Sequence, residues 1–219
     1  MHEKLPQSLK AAGKFCGYKL EQRNGKPSKV PYDMRTQSRA QSNNKNTFCD
    51  YATAIKHLHR YGGLGVGIFD GLCAIDIDNC VNADGTLSPL AADVIEIMDS
   101  YSEVSPSGKG LHILFAAAGF DYDKACYYIN NQKLGMEVYV CGATNKFLTV
   151  TGKALRERNI EERNEQLRTV LGKYMKRPNA RKTQRLNAGK SYLSDASVLE
   201  KLANSKQADK FNRLWQGDI

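Results

Sequence analysis

The stretch "LCAIDIDNC", residues 72–80, decides the interpretation of the fold because acidic residues alternate with apolar ones in it. Alternation with a period of two predicts a β-strand, in which successive side chains point to opposite faces. Asp76 and Asp78 then share one face of the strand. Ile75 and Ile77 share the other face. Because neighbouring carboxylates repel each other unless a cation lies between them, this strand predicts a site for positive charge.

The composition is that of an ordinary globular protein, with 219 residues of which 41% are hydrophobic and 25% are charged. We expect a cytoplasmic protein without a membrane partner, because no apolar run is long enough to span a bilayer and no signal peptide is evident. The six cysteines include no CxxC pair, which argues against a zinc ribbon and is typical of free thiols. The net charge of +9 favours a polyanionic partner, nucleic acid first.

Changes in composition divide the chain into three parts. Residues 1–172 mix strand and helix patterns, as an α+β domain does. Residues 173–190 contain seven Lys or Arg and no acid, which predicts a basic linker. Residues 191–219 have apolar positions at helical spacing, so they predict the start of a helical domain, and we expect the chain to be part of a longer protein.

Two local signals refine the first part. The Asp70-Gly71 dipeptide between the apolar runs "LGVGIFD" and "LCAIDIDN" predicts a β-hairpin. Ser88 followed by Pro89 predicts the N-cap and the first residue of a helix.

A glycine-rich loop, "SPSGKGLH" at residues 105–112, is the second candidate for chemistry. Two glycines around Lys109 predict a flexible loop whose backbone N–H groups surround a phosphate. The loop lacks the GxxxxGK[ST] spacing of a P-loop and no helix follows it, so ATP hydrolysis of that kind is not supported. His112 follows in the apolar strand "LHILF", where an ordinary buried histidine is the alternative interpretation.

Two further strands carry polar side chains at their middle. Glu137 lies in "MEVYV", and Thr149 and Thr151 lie in "KFLTVTG". If these strands join one sheet with the first, Asp76, Asp78 and Glu137 form a carboxylate cluster beside the glycine-rich loop. Three acids next to a triphosphate suit a two-metal site for in-line nucleotidyl transfer, and Mg²⁺ or Mn²⁺ prefers such oxygen ligands.

Taken together, these motifs resemble the primase–polymerase domain of the archaeo-eukaryotic primase superfamily, nearest to the N-terminal domains of phage and mobile-element replication proteins. The resemblance rests on "AIDID", "YSEVSPSGKGLHI", "MEVY" and "KFLTVTG" in this order, with "PSKVPYD" near the start and "DKFNRLWQGD" near the end. It implies an α+β fold in which an RRM-like catalytic subdomain packs against an N-terminal α/β subdomain. A small C-terminal helical unit is implied to follow.

The resemblance also implies an activity and the residues that perform it. Asp76, Asp78 and Glu137 match the metal-binding acids. His112 matches the histidine that contacts the phosphates of the incoming nucleotide and completes the expected catalytic set. The implied enzyme is a DNA primase or DNA polymerase that uses Mg²⁺ or Mn²⁺, a single-stranded DNA template and dNTPs or rNTPs, with a helicase as a further partner. The residues expected around the nucleotide are Ser105, Ser107, Gly108, Lys109, Gly110, His112, Lys146 and Thr149.

Basic residues outside these motifs are candidates for contacts with template phosphates, with solvated surface charge as an equal alternative. They are Lys26, Lys29, Arg35 and Arg39 in the N-terminal part and Arg181 and Lys182 in the linker.

Two other functions compete with DNA synthesis. "HLH" at residues 57–59 resembles the paired histidines of rolling-circle nickases, with Tyr127 or Tyr128 as nucleophile, but the helical pattern puts the two histidines on different faces. A catalytically silent replication-initiator module that binds single-stranded nucleic acid would use aromatic side chains on the sheet, whereas acids occupy the mid-strand positions here. The sequence leaves open whether the protein starts new strands or only extends primers. It also leaves open whether the protein prefers dNTPs or rNTPs.

Overall fold

A computed structural model describes residues 2–178, 195–205 and 208–217. The chain divides into two compact units, Met1–Arg181 and Lys182–Ile219. In the described part of the first unit the strands are β1 (Phe15–Arg23), β2 (Lys26–Tyr32), β3 (Gly63–Gly67), β4 (Leu72–Ile77), β5 (Tyr101–Val104), β6 (Leu111–Ala116), β7 (Asn130–Asn131), β8 (Met136–Tyr139), β9 (Phe147–Val150) and β10 (Ala154–Arg156). Its α-helices are α1 (Gln7–Ala12), α2 (Tyr51–His57), α3 (Pro89–Met98) and α4 (Asn164–Val170).

The strands form two antiparallel sheets, which confirms the predicted α+β class. One sheet has the order β2-β1-β3-β9, and the other has the order β10-β5-β6-β4-β8-β7. In the larger sheet α3 connects β4 to β5, and β6 lies between these two strands, which is a split β-α-β arrangement. The smaller sheet takes three strands from the N-terminal part and its last strand, β9, from much later in the chain. The RRM-like subdomain and the primase–polymerase fold stay predictions.

Two hydrophobic clusters pack against the larger sheet, and β4 contributes to both. Ile75 and Ile77 belong to the cluster that includes the buried residues of α3 and α4. Leu72 and Ala74 belong to a second cluster that also contains residues of the smaller sheet, such as Leu64. The alternation of β4 therefore sends one set of side chains to the helices and the other set toward the smaller sheet.

The hairpin predicted at Asp70 and Gly71 is wrong. Both residues have positive φ angles, 52° and 87°, as a tight hairpin turn requires. However, β3 pairs with β1 and β9, whereas β4 pairs with β6 and β8, so each strand has its two neighbours in its own sheet. The turn therefore carries the chain from one sheet to the other.

The predicted start of α3 is confirmed. The Ser88 Oγ accepts a hydrogen bond from the N–H of Ala91 at 3.3 Å, and Pro89 is the first helical residue. This cap satisfies one of the free N–H groups at the helix start and fixes where the helix leaves the sheet.

The basic linker predicted at residues 173–190 begins within the folded first unit. After α4 the chain continues in a π-helical turn, Leu171–Met175, where Met175 is buried and Lys173 forms an ion pair with Asp93 at 2.8 Å. Residues 179–190 of the linker lie outside the described residues. The described part of the second unit contains α5 (Asp195–Ala203) and α6 (Ala208–Trp215). No helix in the described ranges is long and apolar enough to cross a membrane.

Candidate active site

A row of polar side chains crosses five neighbouring strands of the larger sheet. The register pairs each member of the row directly with the next one. In strand order the polar row consists of Glu103, His112, Asp76, Glu137 and Asn130. Directly opposed residues on one face lie about 5 Å apart between Cβ atoms, so they interact. The sheet thus places three of the four predicted catalytic residues side by side.

The centre of the polar row is held together by short contacts. The Nε2 of His112 lies 3.5 Å from Oδ1 of Asp76. The Tyr139 hydroxyl donates a hydrogen bond to Oε2 of Glu137 at 2.8 Å and lies 3.5 Å from Oδ2 of Asp76. Asn130 also donates to Glu137. The sequence analysis did not assign Tyr139, although the alternation in "MEVY" puts it on the face of Glu137.

Asp78 lies directly after β4, in the turn that follows, and its side chain is exposed. Its backbone N–H donates to the carbonyl of Gly135 at 2.7 Å, which fixes this turn against the residue before β8. The side chain lines the same cleft as Asp76. Asp76 and Asp78 were predicted to share one face of the strand. Both line the same cleft, although β4 ends one residue before Asp78.

Asp76 and His112 of the polar row line a cleft of about 370 Å³ that has residues of both sheets in its walls. A cavity of this size is in the range that accommodates a small ligand such as a nucleotide. From the larger sheet and its loops, the lining residues are Asp76, Asp78, Ser105, Ser107, His112 and Tyr139. From the opposite wall, they are Lys29, Ser42, Lys146, Phe147, Leu148 and Thr149. Five of the predicted nucleotide-binding residues therefore share one cavity with two of the predicted metal ligands.

The glycine-rich loop is closed by its own hydrogen bonds. The Ser105 Oγ accepts from the N–H of Gly110 at 3.2 Å and lies 3.0 Å from the Oγ of Ser107. The N–H of Gly108 donates to the Ser105 carbonyl, and the N–H of Lys109 donates to the Ser107 Oγ. Three of these backbone N–H groups thus have partners within the loop, and their contact with a phosphate stays a prediction. The loop also presents two hydroxyl groups and the exposed Lys109 side chain.

The acids of the cleft carry negative charge that their surroundings only partly offset. Burial raises the pKa of Asp76 above its ordinary value. The charges of Asp78 and Glu137 raise the pKa of Asp76 further. His112 and Lys29 act in the opposite direction without cancelling the shift. Clusters of acids that disfavour their own ionisation are typical of functional sites.

The chemistry of these acids fits a hard divalent cation. Asp76, Asp78 and Glu137 offer carboxylate oxygens, which are the ligands that Mg²⁺ and Mn²⁺ prefer. Within the described ranges, no three His, Cys, Asp or Glu side chains are already drawn together to hold an ion. Asp78 is exposed, so its side chain has room to turn toward Asp76, and Glu137 already lies opposite Asp76 in the register. A cation between them would offset the repulsion that raises the pKa of Asp76.

Lys29, a predicted DNA contact, lies in the wall of the cleft. Its ammonium group donates to Oγ1 of Thr149 at 3.3 Å. Burial lowers the pKa of Lys29, while the charges of Asp76 and Asp78 act against that decrease. Although much of the side chain is exposed, its charged end therefore lies near the acids, and its predicted contact with DNA stays a prediction.

The other predicted DNA contacts lie in different surroundings. Arg35 forms a double hydrogen bond with the buried Asp33, with Nε 2.9 Å from Oδ1 and Nη2 2.7 Å from Oδ2. Arg39 forms an ion pair with Glu21. Lys26 is exposed at the start of β2. Two predicted contacts lie outside the described residues, namely Arg181 and Lys182.

The two histidines of the "HLH" motif are in helical backbone, as predicted. His57 is the last residue of α2, and His59 lies in the 3₁₀ turn Leu58–Arg60. The Nδ1 atom of His57 is buried, whereas His59 is exposed, so the two rings have different surroundings. This arrangement does not form the paired metal ligands of a nickase.

Comparison with known proteins gives one informative likeness. The chain is similar to a DNA primase-polymerase from Nitratiruptor phage NrS-1, with 26% identity over 157 residues. The alignment covers 69% of this chain and 21% of that protein, so the chain spans about a fifth of its relative's length. No family model matches the chain. The likeness supports a relationship with primase–polymerases, and membership of the archaeo-eukaryotic primase superfamily stays a prediction.

Proposed function

We propose that this chain is a metal-dependent nucleotidyltransferase that synthesises DNA on a single-stranded DNA template during the replication of a phage or mobile element. The observation that carries the proposal is the direct opposition of Asp76 to His112 and Glu137 on one face of the sheet. The named activity of the phage relative, a DNA primase-polymerase, supports the same class. A catalytically silent nucleic-acid-binding module would need exposed aromatic side chains on the sheet. These mid-strand positions carry polar side chains instead.

The carboxylates of Asp76, Asp78 and Glu137 would hold two Mg²⁺ or Mn²⁺ ions, which would supply the positive charge that lowers the pKa of an attacking hydroxyl and offsets charge on the phosphates. The hydroxyl of Tyr139 keeps the Glu137 carboxylate oriented, because it donates to one of its two oxygens. The other Glu137 oxygen accepts from Asn130.

The phosphates of the incoming nucleotide lie against His112 and the glycine-rich loop. In the protonated ring both nitrogens are donors, so Nε2 of His112 donates to a phosphate oxygen and places positive charge where the leaving pyrophosphate gains negative charge. Ser105 and Ser107 add hydroxyl groups at the same wall. Lys109, at the tip of the loop, adds a full positive charge.

The opposite wall of the cleft holds the nucleotide from the other side. Lys29 and Lys146 contribute ammonium groups, and Thr149 contributes a hydroxyl to which Lys29 already donates. Lys146 lies 3.8 Å from Glu137, so it neutralises part of the acid charge until the cation and the nucleotide arrive. The template strand runs over basic surface outside the cleft, where Lys26 is exposed.

The test is nucleotide incorporation on single-stranded DNA with Mg²⁺ or Mn²⁺, with and without a primer. The wild type should extend the primer, and the double variant Asp76→Ala/Asp78→Ala should not. Asp84→Ala, which removes an exposed acid that accepts hydrogen bonds from Thr86 in its own loop, should leave incorporation unchanged. The reaction without a primer decides whether the chain also starts strands.

The same incorporation reactions also test the alternative function, a silent replication-initiator module. If the wild type binds single-stranded DNA but incorporates no nucleotide with either metal, the silent replication-initiator module replaces the proposed enzyme.

A further inference from the structure

Glu103, the first residue of the polar row, is fully buried although it is an acid. Its Oε1 accepts from the N–H of Thr151 at 2.8 Å. Its Oε2 accepts from the N–H of Gly152 at 2.8 Å and from the hydroxyl of Tyr101 at 2.9 Å. A buried carboxylate is tolerated when donors surround it in this way. These three donors fix the carboxylate of Glu103 in one orientation.

The part of the Glu103 carboxylate that these three donors do not occupy faces His112. The Oε1 of Glu103 lies 3.5 Å from Nδ1 of His112, and this Nδ1 is buried without a hydrogen-bond partner in the described residues. The other ring nitrogen, Nε2, lies on the Asp76 side, and His112 lines the cleft. A buried ring nitrogen is stable when it is paired, and the Glu103 carboxylate is placed to accept a hydrogen carried by Nδ1.

We propose that Glu103 is a positioning residue for nucleotide binding, which holds the Nδ1 side of His112 and thereby presents Nε2 to the phosphates of the incoming nucleotide. The inference rests on the proposed function, because it needs an anionic ligand at His112. A carboxylate behind a histidine accepts the hydrogen of the nitrogen that faces it and fixes how the ring is turned, and in the protonated ring the other nitrogen still carries a hydrogen to donate. Glu103 itself touches neither the cleft nor the nucleotide.

The anchoring of Glu103 adds a second consequence. Thr151 and Gly152 directly follow β9, whose Thr149 lies in the opposite wall of the cleft. Since Glu103 bonds to both of these backbone amides, the same carboxylate ties the end of β9 to His112. The two walls are therefore set relative to each other through one buried side chain.

The experiment is a double-mutant cycle on nucleotide affinity. The affinity of the full chain for a non-hydrolysable dATP analogue, α,β-imido-dATP, is measured with Mg²⁺ by calorimetry for the wild type, Glu103→Gln, His112→Ala and the double variant. Glu103→Gln and His112→Ala should each weaken binding by about tenfold. The double variant should bind no more weakly than His112→Ala, because Glu103 acts through His112.

A stability control separates positioning from general damage to the strand. Ser102→Ala removes a buried hydroxyl from the same strand, one that donates to the carbonyl of Ser100 at 3.1 Å. This variant should lower the midpoint of urea unfolding and leave the nucleotide affinity unchanged. Glu103→Gln should also lower the midpoint, but unlike Ser102→Ala it should weaken nucleotide binding as well.

If Glu103→Gln does not fold, Tyr101→Phe takes its place. It removes one of the three donors of Glu103 and leaves the carboxylate present, and it should weaken binding by about threefold only when His112 is intact.

The outcomes separate the two proposals. Wild-type affinity in Glu103→Gln, or a full tenfold loss from this change in the His112→Ala background, would overturn the positioning role alone. A wild type that binds the analogue but incorporates no nucleotide would overturn the polymerase and leave the cycle informative. A wild type that does not bind the analogue at all would overturn both.

Discussion

The two faces of the larger sheet differ although the same strands form them. On the face toward α3 and α4, β4 presents Ile75 and Ile77, both almost completely buried in a continuous apolar cluster. On the other face, β4 presents Leu72 and Ala74 to the smaller sheet and then Asp76 to the cleft. Along β4, one face is thus apolar throughout, and the other changes from apolar to charged where the cleft opens.

This difference shows how stability and chemistry are divided across one sheet. Apolar burial on the helix side stabilises the fold in proportion to the area removed from water. On the cleft side, burial and neighbouring charge raise the pKa of Asp76, so the ionised acid opposes folding. Variants on the two faces should therefore change different measured quantities.

The largest effect is expected for Asp76→Asn on the cleft face. The change keeps the size of the side chain and removes a metal-binding charge, so the rate of nucleotide incorporation should fall by at least about 10³-fold. Far-ultraviolet circular dichroism should be unchanged. Incorporation within tenfold of the wild type would show that the cleft face is not the reacting face.

Ile75→Ala, one residue earlier and on the other face, should reverse the pattern. It removes a side chain that is completely buried in the helix-side cluster, so the free energy of unfolding should fall by about 3 kcal/mol. Urea denaturation measures this loss. The affinity of the folded fraction for nucleotide should stay unchanged. A selective loss of that affinity would show that the helix-side face also contributes to nucleotide binding.

Arg35→Ala tests whether a buried acid outside the cleft stabilises the fold because it is paired with a cation. The cleft acids lack such complete pairing. Burial by itself would raise the pKa of Asp33, but its hydrogen bonds with Arg35 outweigh this and hold the pKa below its ordinary value. The variant should lose about 2 kcal/mol of unfolding free energy at neutral pH.

The pH dependence of this loss has a defined sign. Because the pKa of Asp33 is lowered in the folded chain, the stability from the pair is present above the ordinary Asp pKa of about 4 and disappears as pH falls through the lowered value. The unfolding free energies of wild type and Arg35→Ala should therefore converge below about pH 4. A constant difference down to pH 2 would assign the loss to packing.

The smallest effect is expected for Lys26→Ala, which lies on neither face. The unfolding free energy should change by less than about 0.5 kcal/mol, because the residue is exposed. If Lys26 contacts a template phosphate, the slope of log affinity for single-stranded DNA against log salt should decrease by about 1. Lys56→Ala, an exposed lysine of α2, serves as control and should leave the slope unchanged. Equal slopes for both variants would remove Lys26 from the DNA surface.

The orientation of the central site residues was predictable because alternation is a local property of a strand. It placed Asp76, His112 and Glu137 each opposite to apolar neighbours in its own segment. Which strands lie side by side is a non-local property. For that reason the sequence analysis did not assign Glu103, although the register pairs it directly with His112.

The errors and omissions have the same origin. Asp70 and Gly71 adopt the angles that a hairpin turn needs, yet the strands on either side find their partners in different sheets. The position of Lys29 in the cleft wall follows only from the packing of the smaller sheet against the larger one, and its predicted contact with DNA stays a prediction. Local signals predicted the elements, and tertiary pairing decided which of them share a site.

The most direct test of a metal–nucleotide site on the cleft face is thermal unfolding of wild type and Asp76→Asn, with and without Mn²⁺ plus α,β-imido-dATP. Without ligands, Asp76→Asn should be more stable at neutral pH by about 1 kcal/mol, since it removes a carboxylate whose raised pKa opposes folding. With both ligands at about 100 times their dissociation constants, the unfolding temperature of the wild type should rise by about 5 °C or more, and that of the variant should rise far less. An equal rise in the two proteins, or none in the wild type, would contradict a cation site at Asp76.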